Sequence, residues 1–173
     1  MTPLLILTGA SRGIGRAIAE RALERGFAVG ALARTAADLE SLAALAPDRV
    51  QVAVADVRDQ SAVAAGAEAA IARFGAPTLV VAAAGTLGPV DRPWLLPGDA
   101  LAEALAVTVA GTANLAAATV PAMLAAGGGT FVAVSASSGT RVFPGWAAYG
   151  AAKAGLDAYI RYLAEEAGDA LTA

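Results

Sequence analysis

The sequence predicts a three-layer α/β/α fold built around one doubly wound parallel β-sheet, and three observations favour it. Short apolar runs alternate with longer helical stretches five times along the chain. The apolar runs are continuous, which is typical of strands covered by helices on both faces. At 173 residues, with 57% hydrophobic and 16% charged side chains, the composition suits one folded domain. We therefore expect a single domain over residues 1–173, with about five strands in the order 3-2-1-4-5.

The predicted elements follow from the apolar runs and the turn residues between them. Strands are predicted over residues 3–8, 27–33, 50–55, 78–83 and 130–134. Helices are predicted over residues 13–25, 35–46, 59–74, 99–126 and 148–167. Thr35 stands at an N-cap position, Pro97 and Gly98 precede the longest helix, and glycines at 127–129 end it. Each strand is therefore followed by a helix, which makes neighbouring strands parallel.

Residues 104–126 carry no charged side chain, and this stretch of 23 residues is long enough to span a bilayer. It is mostly alanine with several polar residues, so membrane insertion would be only weakly favourable. A buried helix of a soluble domain is the preferred interpretation. The N-terminus lacks a basic region, and its apolar run is too short for a signal peptide. We expect a cytoplasmic protein that does not contact a membrane.

The composition excludes several kinds of chemistry. The chain has no cysteine and no histidine, which removes disulfides, thiolate chemistry, the usual zinc sites and Ser–His catalysis. A net charge of −3 without a basic run argues against a nucleic-acid partner. Any reaction here must use hydroxyls, carboxylates, a bound cofactor or Lys153, which is the only lysine in a chain that otherwise uses arginine. We expect no metal site.

A glycine-rich loop at residues 8–15 joins the first predicted strand to the first helix. Glycines there permit a tight turn and let the backbone approach a pyrophosphate, which the helix N-terminus then stabilises. Such a loop alone is weak evidence because turns need glycine anyway, but its position after the first strand favours a Rossmann-like nucleotide site. The candidate contacts in this loop are Gly9, Ser11, Arg12, Gly13, Ile14 and Gly15.

The end of the second strand bears on the choice of cofactor. An acidic residue there would bind the ribose hydroxyls of NAD, but the chain has Arg34. Arg34 can pair with a 2′-phosphate, with help from Arg12, which predicts NADP(H) over NAD(H). An ordinary surface role for Arg34 remains an alternative. After the third strand, Asp56 and Val57 are expected against the adenine, although an aspartate that merely caps the next helix would look the same from sequence.

Tyr149 and Lys153 are four residues apart at the start of the last predicted helix, so their side chains share one face. A nearby ammonium group favours the ionised phenol, and such a pair can exchange a proton with a substrate oxygen. A Y-x-x-x-K spacing alone is a common accident. Here, however, the chain's only lysine occupies the position.

Together these motifs resemble those of the short-chain dehydrogenase/reductase family. The match covers nearly the whole chain: T-G-x-x-x-G-x-G at 8–15, Asp-Val at 56–57, Ala-Gly at 84–85 and Y-x-x-x-K at 149–153. The resemblance implies that Tyr149 is the general acid/base and that Lys153 binds the nicotinamide ribose. It also implies cofactor contacts at Ala83 and Gly85, and a homodimer or homotetramer packed through the last two helices.

The chain also departs from the family's pattern. The family's N-N-A-G is Ala-Ala-Ala-Gly at 82–85, its catalytic asparagine falls on Thr108, and its catalytic serine falls on Ala136. Ser137 is the preferred substitute, although neighbours on an extended strand end point to opposite faces. The chain ends at Ala173, where family members usually continue through two more strands. We therefore expect an incomplete substrate half, and a fifth strand whose edge another chain covers.

Two functional hypotheses follow. The first is an NADP(H)-dependent oxidoreductase that acts on a small-molecule carbonyl or secondary alcohol. Its substrate pocket would be lined by Thr86, Leu87, the 139–146 loop and the further segment that family members usually have after this point. The second is a nucleotide-binding protein of the same fold with little or no turnover, which Ala136 and Thr108 favour. A fragment without function is a third, weaker alternative. The sequence does not identify the substrate.

Overall fold

The computed structural model describes residues 2–173 and contains one sheet of six parallel strands in the order β3-β2-β1-β4-β5-β6. The strands are β1 (Leu4–Thr8), β2 (Ala28–Ala33), β3 (Val50–Val54), β4 (Leu79–Ala82), β5 (Gly129–Ala133) and β6 (Leu171–Thr172). The helices are α1 (Gly13–Glu24), α2 (Ala36–Ala43), α3 (Gln60–Phe74), α4 (Ala100–Leu105), α5 (Gly111–Ala125) and α6 (Ala147–Ala167). The fold class and the order of the first five strands are as predicted.

The sheet has six strands where about five were predicted, because β6 follows the last helix and pairs with β5. Leu171 aligns with Gly129, and Thr172 aligns with Thr130. A strand of two residues has no apolar run that a sequence pattern could reveal. The edge of β5 is therefore covered by the chain's own residues at its first two positions, and Val132 beyond them stays 41% exposed.

Two apolar cores lie on opposite faces of the sheet because successive strand side chains point to opposite sides. On one face, Leu4 and Ile6 of β1 pack with α3, α5 and the partly buried face of α6. On the other face, Leu5 and Leu7 pack with α1 and α2. Every residue of β1 is buried, which explains why its sequence is a continuous apolar run.

The helix predicted over 99–126 is continuous from Ala100 to Ala125 but contains a π-helical turn, Ala106–Ala110, between α4 and α5. Such turns are rare and are frequently found at functional sites. Among residues 2–173 this is the one helix long and apolar enough to cross a membrane. Its buried face, which includes Leu115 and Met123, packs in the core against the sheet. A core helix of a folded domain therefore accounts for it.

The strand order places a crevice at the carboxyl ends of β1 and β4. The chain runs from β1 outward to β3 on one side, and then returns to β4 and continues outward to β6 on the other. Ligands of open α/β sheets bind where the order reverses in this way, outside the carboxyl ends of the strands. The loops that follow β1, β2, β3, β4 and β5 therefore meet around one site.

Candidate active site

A cavity of about 710 Å³ opens at the carboxyl ends of the strands. Every cofactor contact predicted from the sequence lines it: Gly9, Ser11, Arg12, Gly13, Ile14, Gly15, Arg34, Asp56, Val57, Ala83, Gly85, Tyr149 and Lys153. These residues come from the loops after four strands, from the start of α1 and from α6. The structure thus brings them together, while their individual roles stay predictions.

Three positions of the glycine loop call for glycine, each for a different structural reason. A Cβ on Gly9 would lie 2.8 Å from the backbone of Ala83, so a side chain there would push the loop away from β4. A Cβ on Gly15 would overlap the carbonyl oxygen of Gly9. Gly13 has a φ of +58° and open space around it, so only its backbone conformation calls for glycine. The loop therefore folds tightly against the sheet and leaves room at the start of α1.

Two exposed arginines lie in the part of the cavity next to the end of β2. Neither Arg12 nor Arg34 makes an ion pair with any residue of the described chain, and both line the cavity. Asp38, in the first turn of α2, lines the same part and was missed by the sequence analysis. No helical spacing pointed to it, because Arg34 precedes the N-cap of α2 and is not part of that helix. Thr35 stands at the N-cap of α2, but its side chain makes no capping hydrogen bond.

Asp56 is held by Arg58 and does not cap the following helix. Its Oδ2 accepts a hydrogen bond of 2.6 Å from a guanidinium nitrogen of Arg58, and its Oδ1 accepts one of 2.9 Å from the Arg58 backbone N–H. This hydrogen bonding lowers the pKa of Asp56 to about 2. Asp59 caps α3 by accepting a bond of 3.0 Å from the Ala62 N–H. The carboxylate of Asp56 is therefore fixed at the edge of the cavity.

The loop at Val57 is fastened to α5 by the chain's only asparagine. Asn114 Nδ2 donates a hydrogen bond of 2.8 Å to the carbonyl oxygen of Val57. Gly111 allows this close approach, because a Cβ there would lie 2.6 Å from a methyl group of Val57. Val57 itself is buried and lines the cavity. Asn114 thus positions a cavity wall from outside the cavity.

Tyr149 and Lys153 meet at the opposite end of the cavity. The Nζ atom of Lys153 lies 5.5 Å from the centroid of the Tyr149 ring and donates a hydrogen bond of 2.6 Å to the carbonyl oxygen of Val134. Lys153 is only 4% exposed, and this burial lowers its pKa, with the Asp157 carboxylate acting in the opposite direction. Val134 directly follows β5, so the rule that strand ends face the ligand crevice would have indicated it.

The residues predicted to replace the family's serine and asparagine do not line the cavity. Ser137 is exposed and begins a short 3₁₀ turn, in which its carbonyl oxygen accepts a bond of 3.1 Å from the Thr140 N–H. Thr108 lies in the π turn and is fully buried, and its hydroxyl has no hydrogen-bond partner within the described chain. Its neighbour Val107 faces the cavity. Catalytic roles for Ser137 and Thr108 stay predictions.

Comparison with known proteins assigns the chain to one family. The sequence profile of the family described as short chain dehydrogenase matches residues 4–170. The 2-dehydro-3-deoxy-L-rhamnonate dehydrogenase (NAD(+)) of Sphingomonas sp. is 31% identical over 93% of the chain. A 3-ketoacyl-ACP reductase structure from Sinorhizobium meliloti superposes with a TM-score of 0.92 at 36% identity, covering 98% of this chain and 69% of that one.

A third relative carries a phosphorylated cofactor. The alcohol dehydrogenase from the archaeon Thermococcus sibiricus, complexed with 5-hydroxy-NADP, has a TM-score of 0.90 at 28% identity and covers 96% of this chain and 72% of that one. The named relatives therefore include an NAD(+) enzyme and an NADP-type complex. This chain spans 64% of the length of the Sphingomonas relative. Because the profile of this family matches residues 4–170, the chain belongs to the short-chain dehydrogenase family.

Proposed function

We propose that this protein is an NADP(H)-dependent oxidoreductase that interconverts a small-molecule carbonyl compound and a secondary alcohol. The observation that carries the proposal is the placement of Tyr149 and Lys153 in the same cavity as the glycine loop. One end of this cavity has the features of a dinucleotide site, and the other end has a proton donor beside a cation.

The glycine loop fits a nicotinamide dinucleotide. Gly9 and Gly15 hold the loop close to β4, and the open space at Gly13 leaves the N-terminus of α1 accessible to a pyrophosphate. α1 has no acidic residue in its first turn that would repel an anion. When bound, the cofactor would supply or accept a hydride at the carbonyl carbon. Asp56 and Val57 would contact its adenine, and Lys153 its second ribose.

Two arginines support NADP(H) over NAD(H). Arg12 and Arg34 are exposed cations without ion-pair partners in the described chain, and a 2′-phosphate would neutralise them. Asp38 and Asp56 line the same end of the cavity. Asp56 is already paired with Arg58, so Asp38 is the unpaired carboxylate that opposes a phosphate, against two arginines that favour it. The absence of an acidic residue at the end of β2 removes the usual partner of the NAD ribose.

Tyr149 would exchange the proton of the substrate oxygen. Reduction adds a hydride to the carbonyl carbon, and the oxygen then takes a proton from the Tyr149 hydroxyl. The ammonium group of Lys153 near the ring face stabilises the phenolate left behind. Oxidation of the alcohol runs the same transfer in reverse.

The alternative, a nucleotide-binding protein with little or no turnover, is favoured by one specific observation. Ala136 stands at the family's serine position, and neither Ser137 nor Thr108 presents its hydroxyl to the cavity. In such a site neither of the family's two partner side chains would stand beside Tyr149 to orient a substrate oxygen. Binding of the cofactor without reduction of a carbonyl is the result that distinguishes this alternative.

A Tyr149→Phe variant tests the proposal, with Tyr162→Phe as its matched control because Tyr162 is 70% exposed on the same helix and lies outside the cavity. We expect Tyr149→Phe to lower kcat by about 10²–10⁴-fold, the usual worth of a general acid. Calorimetric titration should show NADPH bound equally by both variants. Equal turnover in Tyr149→Phe would refute the tyrosine mechanism. NADPH binding by a wild-type protein without turnover would establish the alternative.

A further inference from the structure

The charged side chains of the cavity are concentrated at its dinucleotide end. Arg12, Arg34, Asp38 and Asp56 all line the cavity near the ends of the first three strands or in the helices that follow. Lys153 is the one charged residue at the Tyr149 end, among the described residues. Its ammonium group is buried and donates one of its three N–H bonds to the Val134 carbonyl, and under the proposed function the others serve the cofactor ribose and the Tyr149 oxygen rather than a charged substituent of a substrate.

The walls beside Tyr149 are apolar. Leu87, Val107, Val134 and Trp146 line this end of the cavity, and Leu87 is 41% exposed. The polar side chain besides Tyr149 and Lys153 at this end is Thr86, which carries no charge. A carboxylate or phosphate that packs against these walls would lose part of its hydration and find no cation besides the buried Lys153, which is unfavourable.

Trp146 is held as a rigid surface by three contacts. Phe143 stacks on it with 5.4 Å between ring centroids and an interplanar angle of 29°. Tyr149 lies edge-on to it at 5.7 Å. Its backbone forms a parallel bridge with Asp91, and the Asp91 N–H donates to the carbonyl oxygen of Gly145 at 3.2 Å. The indole is therefore packed between two rings beside the hydroxyl that would act on the substrate, and it offers a flat apolar surface to a flat group.

We propose that the substrate is an uncharged ketone or secondary alcohol that carries an aromatic or similarly flat apolar group, and that Trp146 is the residue that selects it. This inference rests on the proposed oxidoreductase function and adds the chemical class of the substrate. The carbonyl faces Tyr149, and its apolar substituent packs against the Trp146 indole. Compounds that carry a carboxylate or phosphate near the carbonyl are disfavoured, because no described residue at this end besides the buried Lys153 carries a positive charge.

The kinetic test compares acetophenone with 4-acetylbenzoate, which differ by one carboxylate, at saturating NADPH. The wild-type protein should prefer acetophenone by about 10²-fold or more in kcat/KM, as expected for a charge left unpaired in a desolvated site. Trp146→Ala should raise the KM for acetophenone by about tenfold or more with a smaller change in kcat, and Trp146→Phe should restore most of the loss. The control is Trp94→Ala, because Trp94 is the chain's other tryptophan, is 75% exposed and lies outside the cavity.

A binding measurement separates failure of this inference from failure of the proposed function. In a Trp94→Phe background, Trp146 is the only tryptophan, so its fluorescence reports directly on ligands at the indole. We expect saturable quenching by 1-phenylethanol in the presence of NADPH, and none by 4-(1-hydroxyethyl)benzoate. That result supports the inference even if neither ketone is reduced, in which case only the oxidoreductase proposal fails. Equal quenching by both alcohols, or by neither, overturns the inference whatever the turnover.

Discussion

Lys153 donates a hydrogen bond of 2.6 Å to the backbone carbonyl of Val134, and this bond ties helix α6 to the end of strand β5. The bond also fixes the direction of the lysine side chain, so that its Nζ lies 5.5 Å from the centre of the Tyr149 ring. A sequence spacing of four residues places the two side chains on one helix face. The carbonyl of Val134 then holds the ammonium group beside the ring. The proton-transfer pair thus depends on a strand end as well as on its own helix.

A Gly13→Ala variant tests the cofactor cradle. Gly13 has a φ of +58° and no atom close enough to meet a Cβ, so alanine should lower the free energy of unfolding by only about 1 kcal/mol. The added methyl group would nevertheless occupy the space at the start of α1. We expect the calorimetric affinity for NADPH to fall by about tenfold or more, which corresponds to about 1.4 kcal/mol.

The matched control for this variant is Gly26→Ala. Gly26 has a φ of +86°, is equally unobstructed, and follows the other end of α1 away from the cavity. It should show a similar loss of stability with unchanged NADPH affinity. If both variants bind NADPH as the wild-type protein does, the glycine loop does not cradle the cofactor.

An Arg34→Asp variant tests the preference for NADP(H). Loss of a charge-assisted hydrogen bond to a 2′-phosphate costs about 1.5–3 kcal/mol, so the affinity for NADPH should fall by about 10–100-fold. NADH affinity should stay the same or rise, because an acidic residue at this position can bind ribose hydroxyls. Titration of both cofactors gives the selectivity directly. Arg141→Asp is the control, since Arg141 is exposed and outside the cavity, and unchanged selectivity in Arg34→Asp would remove Arg34 from the site.

The sequence best predicted those features of the fold that depend on a single helix or strand. The buried strands are continuous apolar runs because helices cover both their faces, and this pattern predicted five of the six strands. Strand β6 was not predicted because a strand of two residues has no periodicity. The π turn in the helix of residues 100–125 was not predicted either, because it shifts the helix register without changing the residue types that form helices.

The candidate site was predictable where motifs follow strand ends, and less so elsewhere. The glycine loop, Arg34 and the tyrosine–lysine pair all line the cavity that their positions suggested. The hydroxyl groups near Ala136 were not predictable, because a 3₁₀ turn decides which serine faces which way. The carbonyl of Val134 has no signal in residue type, because any residue supplies that backbone group, and only its position after β5 points to it.

Because Asp56 pairs with Arg58, we expect a variant that breaks this pair to show a small stability difference that depends on pH. Arg58→Gln removes the pairs with Asp56 and Glu103 and should lower the free energy of unfolding at neutral pH only slightly, because all three groups are exposed or partly exposed to solvent. The pKa of Asp56 is lowered to about 2, so its contribution is fully present well above the ordinary value of 3.8 and is lost as the pH falls through 2. Urea denaturation from pH 7 to pH 3 should show the difference from wild type beginning to shrink near the bottom of this range. The control is Arg21→Gln, which breaks the more exposed pair with Glu24, and a constant difference in Arg58→Gln would refute the assignment.

Burial of Lys153 predicts a stability change at alkaline pH. Its folded-state pKa is lowered from 10.5 mainly because the ammonium group is desolvated. Between the lowered value and 10.5 the unfolded chain binds more protons, so this group makes the protein more stable as the pH rises through that window. Below this pH window Lys153 is charged, and burial of the charge lowers the free energy of unfolding. Lys153→Met and Lys153→Arg should both lack this rise, the first because it has no charge and the second because arginine stays protonated throughout. Urea denaturation at intervals from pH 7 to pH 10.5 measures the slope, and a Lys153→Met slope parallel to that of the wild-type protein would show that Lys153 titrates as an ordinary exposed lysine.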